Sequence, residues 1–405
     1  MKTKKSHSFI YFIFIAVTIT LMLASCTAYI EERSKTIAMK RISSFSFPKL
    51  SDDLEYHGLA HSISQSLSYL QKIPEDRIFV FGKDHYDTNH MIRSLEFFLE
   101  YIKQNPSRRE LKEFIRSNYH VYRSTGTNGN GKVLFTGYYE PHLRGSFKES
   151  AEFRFPIYSR PNDLVSIDLS LFSEKYDGER IIGRLTEQTV VPYYERKEID
   201  FENALEGKAE PLVWVKDPVD IFFLQIQGSG KIYLDSGDVI NVHYHTTNGR
   251  PYRSIGQLLI EEEKILREEM SMQKIREYLR EHPEEMENIF NYNPSYVFFK
   301  TEPDGPLGNI NVKLTPGRSI ALDRKIFPAA ALAFISTKKP LINSAGNISD
   351  WTDCTRFVLN QDTGGAIKGP GRADLFWGNG HYAEIAAGHL QHPGKLYFFI
   401  LKPEV

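Results

Sequence analysis

The feature that most narrows the fold of this chain is a change of hydrophobic period near Tyr119. Between about residues 54 and 119 apolar side chains recur every three or four positions, as in Met91, Ile92, Leu95, Phe98, Leu99 and Ile102, and Asn105-Pro106 supplies a polar break. That spacing predicts a helical layer. Beyond it come short β-like runs bounded by Gly and Pro, at 133–139, 155–158, 212–215, 221–226 and 231–234. Short strands punctuated in this way predict a barrel or sandwich. A charged stretch from about 254 to 290 reads as helical, with Ile255, Leu258, Leu259, Ile275, Tyr278 and Leu279 on its buried side, and strands return from Tyr296 onward. No internal repeat is visible. The chain is too long for one ordinary core, so two domains with a cleft between them are expected.

The N-terminus carries Lys2, Lys4 and Lys5 ahead of an apolar run at 9–23 that ends in Leu23-Ala24-Ser25-Cys26. The length suits a signal h-region better than a membrane span, which is the competing reading. Small residues before a cysteine resemble the bacterial lipoprotein signal, which implies removal of residues 1–25 and lipidation of Cys26. Thr27 stands where an inner-membrane retention aspartate would be, so the resemblance points to the periplasmic side of the outer membrane. Cys354 is the one other cysteine, so an acylated Cys26 leaves no intrachain disulfide and the core must hold the fold. Lys and Arg total 50 against 51 Asp and Glu, and no basic tract interrupts the mature chain, which argues against a nucleic-acid partner.

The most unusual segment is 360–378, where Asp362 and Asp374 bracket a loop holding Gly364, Gly365, Gly369 and Gly371. Glycines allow close backbone approach, and two carboxylates in different environments suit acid–base tuning. The order of lysine and glycine does not fit a Walker phosphate loop. An aspartate in a Gly-rich turn can equally serve as an Asx-turn or helix cap.

Here the sequence resembles the membrane-bound lytic transglycosylase A family, whose C-terminal part is named the 3D domain after three aspartates. They fall at Asp323 in Ala321-Leu322-Asp323-Arg324, at Asp362 in Gln361-Asp362-Thr363-Gly364-Gly365, and at Asp374 in Ala373-Asp374-Leu375-Phe376. The likeness extends to Phe135-Thr136-Gly137-Tyr138-Tyr139-Glu140-Pro141, Gln225-Ile226-Gln227-Gly228-Ser229-Gly230, Tyr252-Arg253-Ser254-Ile255-Gly256 and Asn293-Pro294-Ser295-Tyr296. It implies that Asp374 is the general acid and base. Asp362 and Asp323 could each order a loop by hydrogen bonding; Asp362 is expected to support Asp374, and Asp323 to be mainly structural. Thr136, Gly137, Tyr138, Gln227 and Ser229 would line the glycan groove. The implied fold is mainly β with helices: a six-stranded double-psi β-barrel over 26–140 and 301–405, an inserted second β-barrel over 141–300, and a glycan groove between them.

The resemblance further implies cleavage of the MurNAc-GlcNAc β-1,4 bond of peptidoglycan with formation of 1,6-anhydromuramic acid ends, during cell-wall turnover. Peptidoglycan strands and, through the lipid on Cys26, a membrane are the implied partners, and no cofactor is implied. His243 and His245, two apart on an expected strand, invite a metal reading, but no third ligand is spaced with them. Two rivals remain at this stage: a hydrolase pairing Asp374 with Asp362 on water, and a non-catalytic wall-binding module.

Overall fold

A computed structural model describes residues 37–176 and 178–405, so the expected leader and Cys26 lie outside the described residues. The strands before the change of domain are β1 (Met39–Arg41), β2 (Phe79–Phe81), β3 (Asp84–Tyr86), β4 (Tyr119–Ser124) and β5 (Val133–Tyr138). Next come β6 (His142–Ser146), β7 (Phe155–Tyr158), β8 (Leu164–Asp168), β9 (Arg180–Thr186), β10 (Thr189–Pro192), β11 (Pro211–Val215), β12 (Ser229–Leu234), β13 (Val239–Thr247) and β14 (Val297–Glu302). The last five are β15 (Ser319–Ala321), β16 (Leu332–Ile342), β17 (Ile348–Asp362), β18 (Arg372–Phe376) and β19 (His392–Leu401).

One sheet runs β19-β16-β17-β15-β18-β5, and β5 pairs back onto β19 through His392↔Phe135, which closes a six-stranded barrel. Closure removes both edges. Within it β5 lies parallel to β18 and β15 parallel to β17, while the remaining pairs are antiparallel. Val133, Phe135, Ile320, Leu359, Ala373 and Leu375 are fully buried and fill the interior. Strands β4 and β1 extend the sheet outward from β19. Helices Leu59–Leu70, Thr88–Ile102 and Arg108–Asn118 cover it, with Phe98 packed 5.1 Å from Phe357 between ring centroids. Ahead of the first of these helices, Asp52 receives both terminal nitrogens of Arg318, at 2.6 and 2.8 Å, in a fully buried pair that ties this segment beneath β15.

Strands from 142 to 302 form separate sheets. The order β14-β13-β12-β6-β11-β7 curls round until Ser159, just past β7, bridges Phe299 of β14, giving a second barrel. Its core contains Leu143, Ile157, Val213, Ile232, Val242 and Phe299. The three strands β10-β9-β8 lie over a smaller core of Leu164, Tyr193, Ile199, Tyr296 and Phe298.

Two elements differ from the sequence expectation. Residues 221–226 are not a strand but part of helix Pro218–Gln227, which starts where Asp217 accepts from the Val219 N–H, carries Pro218 at its first position and stops at left-handed Gly228. The caps decide its type, because a run of residues buried nearly all round shows no period. Likewise the N-terminal helical layer contains the β2–β3 hairpin, turned at Gly82 with φ of +67°. The charged stretch resolves into helices Ile255–Glu261, Met272–Glu281 and Met286–Tyr292, with Ile255, Leu259, Ile275 and Leu279 buried and Leu258 and Tyr278 half-buried.

Candidate active site

The short strand β15 organises the site. Its last residue, Ala321, stands opposite Asp362 of β17 on one side and Asp374 of β18 on the other. On the far side of β18, the parallel strand β5 sets Thr136 in register with Asp374. Alternation then separates two faces: Val133, Phe135, Ala373 and Leu375 point into the barrel, whereas Thr136, Tyr138 and Asp374 lie on its partly exposed outer face. Thr136 Oγ1 donates to Asp374 Oδ1 at 2.9 Å, and the Tyr138 hydroxyl donates to Asp362 Oδ2 at 2.8 Å. The second oxygen of Asp362 accepts from the backbone N–H groups of Thr363, at 2.8 Å, and Asn309, at 3.0 Å.

Burial pushes the Asp374 carboxyl up to about 6, against the opposing effects of the Thr136 hydrogen bond and the Arg372 charge, while Asp362 adds to the rise. Asp362 is also raised to about 6 by burial, although its three donors favour the ionised form. Tyr138, half-buried beside both carboxylates, is held well above its ordinary range by desolvation and by the neighbouring Asp362 and Asp374, and so remains a proton donor. Two carboxyls titrating near 6 can exchange protons with a substrate near neutral pH, which ordinary surface aspartates do not.

The other expected residues have distinct positions. Asp323 is buried, accepting from Gly369 N at 2.8 Å and from Lys325 N at 3.1 Å, and thereby fastens the glycine-rich loop to the turn after β15. Gly137 faces away from the acids, and a Cβ there would lie 2.6 Å from Trp377 Nε1 and 2.9 Å from the Ala387 Cα, so glycine admits the Trp377 ring and the helix His381–His389. Gln227 accepts from the Tyr139 N–H at 2.9 Å, one residue past Tyr138. Ser229 is buried at the start of β12, opposite His243. Burial and Lys300 depress His243. Among the described residues no group of three or more His, Cys, Asp or Glu side chains could hold a metal ion.

Thr136, Tyr138, Asp362 and Asp374 are thus brought together, with Gln227 one residue away and Asp323 behind the loop. Sequence reasoning missed two contributors. Arg372 shares the face of Asp374 two residues on, a relation that strand period could have given. The Asn309 N–H comes from a loop more than fifty residues distant, and no local signal announces it.

Fold and site together define a two-barrel protein with two carboxyls, Asp362 and Asp374, raised to about 6 on the outer wall of the first barrel. Residues 134–300 match the model of the MltA specific insert domain and residues 318–400 that of the 3D domain. The membrane-bound lytic murein transglycosylase A of Vibrio cholerae is 30% identical over 277 residues, covering 67% of this chain and 66% of that protein; the one from Escherichia coli K12 is 29% identical over 307 residues, covering 75% and 74%. This chain therefore spans about two thirds of the first and three quarters of the second. Among solved structures, the membrane-bound lytic murein transglycosylase from Agrobacterium tumefaciens superposes with a TM-score of 0.73 at 28% identity, over 90% of this chain and 98% of that one. Escherichia coli MltA with bound chitohexaose gives 0.65 at 25% identity, over 85% and 90%. The chain belongs to the membrane-bound lytic murein transglycosylase A family.

Proposed function

We propose that this chain is a lytic transglycosylase that cuts the MurNAc-GlcNAc β-1,4 bond of peptidoglycan, with Asp374 as the group that moves the proton. The observation that carries this is the Asp374 carboxyl itself, raised to about 6 by burial, held on one oxygen by Thr136 and partly exposed on the barrel's outer face. The protonated carboxyl gives its proton to the glycosidic oxygen as that bond breaks and positive charge grows at the anomeric carbon. The C6 hydroxyl of the same muramic acid then closes onto that carbon, and the Asp374 carboxylate takes the hydroxyl proton. Keeping nucleophile and electrophile on one sugar supplies much of the advantage through orientation. Asp362, fixed by Tyr138 and two backbone N–H groups, supports the charge balance of Asp374. Thr136, Gly137, Tyr138, Gln227 and Ser229 line or shape the glycan groove, in the reading that assigns 26–140 and 301–405 to the catalytic domain and 141–300 to the insert.

One observation favours a second reading. The two acids flank β15 and sit two strand spacings apart, about 10 Å between backbones, with both carboxyls raised to about 6. That arrangement has room for an acid and a base acting on water. Mass spectrometry of digested sacculi separates the readings: 1,6-anhydromuramic ends, one water lighter, are expected, and in ¹⁸O-water the new ends carry no heavy oxygen. Reducing ends bearing ¹⁸O would establish the hydrolase instead.

The relatives are named membrane-bound, and this chain associates with a membrane. We place the anchor as a lipid on Cys26, on the periplasmic side of the outer membrane. Metabolic labelling with a fatty acid, lost in Cys26→Ala, tests that anchor.

A further inference from the structure

Side chains alternate along β18, so Arg372 stands on the same outer face as Asp374 while Ala373 and Leu375 point into the barrel. Two residues along a strand lie about 7 Å apart. The parallel register with β5 sets Leu134 beside Arg372 and Thr136 beside Asp374, so the arginine has an apolar neighbour where the aspartate has a hydroxyl. Arg372 is half-buried, its Nε is enclosed without a partner, and among the described residues no carboxylate forms an ion pair with its guanidinium. Asp323, past the end of β15, commits its oxygens to the Gly369 and Lys325 N–H groups instead. A charge partly withdrawn from water and not neutralised by a neighbour is screened less than a surface one.

The titratable and charged groups facing Asp374 are Tyr138 from β5, Asp362 from β17 and Arg372 from its own strand, and the Thr136 hydroxyl is bonded to it. Strand β15, between the two acids, contributes Ser319, Ile320 and Ala321 and no charge. Of these groups Arg372 is the positive one. In the reaction proposed above, Asp374 gives its proton to the glycosidic oxygen and must stay ionised, near a second carboxyl, until the C6 hydroxyl returns one. Thr136 offers that carboxylate a single neutral hydrogen bond, and Asp362 opposes its charge. The spacing matters as well. A guanidinium bonded directly to Asp374 would occupy both oxygens and hold the group ionised, whereas one set two residues away acts by its field and leaves Oδ2 open. We propose that Arg372 is a positioning residue for this reaction: its unpaired guanidinium steadies the Asp374 carboxylate between the two proton transfers without bonding to it. That role rests on the transglycosylase reading, while the coupling between the two side chains is measurable without substrate.

The test joins ¹³C NMR of carboxyl-labelled aspartate, with the Asp374 signal identified by its loss in Asp374→Asn, to pH–rate profiles on purified sacculi. Arg372→Met keeps an apolar stem and removes the charge. In it the Asp374 midpoint should rise by about one pH unit from its present value near 6, and the alkaline fall of turnover should move up with it. Turnover on the acid plateau should drop by up to about tenfold, because a weaker acid gives up its proton more slowly. Arg372→Gln, which keeps a polar end in the enclosed position, should shift both midpoints in the same direction and answers the question if the Met variant does not fold. Arg372→Lys keeps the charge and should hold both midpoints near the parent's. An unmoved or lowered Asp374 midpoint in the uncharged variants, or an equal rise in Arg372→Lys, overturns the coupling. A raised NMR midpoint with an unshifted pH–rate profile overturns the role in the reaction. If the parent releases nothing from sacculi at any pH while the NMR midpoint rises in Arg372→Met, the coupling stands and the transglycosylase reading fails.

Discussion

Asp374→Asn should make the protein more stable at neutral pH while nearly abolishing turnover. The Asp374 carboxyl rises from its ordinary 3.8 to about 6 on folding. Each tenfold change in proton affinity is worth about 1.4 kcal/mol, so at pH 8 the ionised group costs the folded state at most about 3 kcal/mol, and roughly 1–3 allowing for its partial exposure. The sign follows from linkage: the folded state holds this proton more tightly than the unfolded chain, so the associated stability is present below about 4 and lost as pH rises to about 6. Asparagine keeps an oxygen for the Thr136 hydroxyl and carries no charge, so the gain should appear at pH 8 and vanish near pH 3.5. Urea unfolding of both proteins at the two pH values measures it, alongside turnover on purified sacculi, expected to fall by about 10²–10⁴-fold. An Asn variant less stable than its parent at pH 8 would show that the ionised carboxylate is welcomed by its surroundings, and the case for a tuned acid would collapse.

Turnover should be full below about pH 6 and fall about tenfold per unit above it, because the acid form of Asp374 starts the reaction; a rate that climbs into alkaline conditions excludes that role. Tyr138→Phe removes a donor that favours the ionised Asp362, so the Asp362 titration followed by carboxyl ¹³C NMR should move above its present value of about 6; a downward move contradicts the hydrogen bond. Arg318→Met strands Asp52 as a buried unpaired charge and should cost about 3–5 kcal/mol in urea unfolding, against less than about 1 if the pair carries no structural weight.

The first barrel was partly legible because its strands are short, β-rich and bounded by Gly and Pro: 133–139 was read within one residue of β5. Helix Pro218–Gln227 was misread because Ile221–Leu224 are buried on every side, so the run gave no period, and the Asp217-Pro218 start with its Gly228 stop outweighs the apolar run. Asp374, Asp362 and Asp323 were legible through a family motif, not through spacing physics. What the motif could not supply was the register: Ala321 between the two acids, and Thr136 level with Asp374, are facts of strand pairing between segments 40 to 240 residues apart. Gly137 stands in the same motif for a different reason, the room it leaves for Trp377.

Two aspartates titrate near the same value here, yet their surroundings assign them unequal work. Asp362 accepts three hydrogen bonds that use both its oxygens, from a tyrosine and from backbone that cannot turn away. A carboxyl clamped in this way keeps its place and is poorly free to follow a proton through a reaction. Asp374 accepts one, on Oδ1, and among the described residues no donor reaches Oδ2. That oxygen is the one available to a glycosidic oxygen or a sugar hydroxyl. The value near 6 marks both groups as desolvated, and the hydrogen-bond geometry, not the acidity, singles out Asp374 as the group that exchanges a proton with substrate.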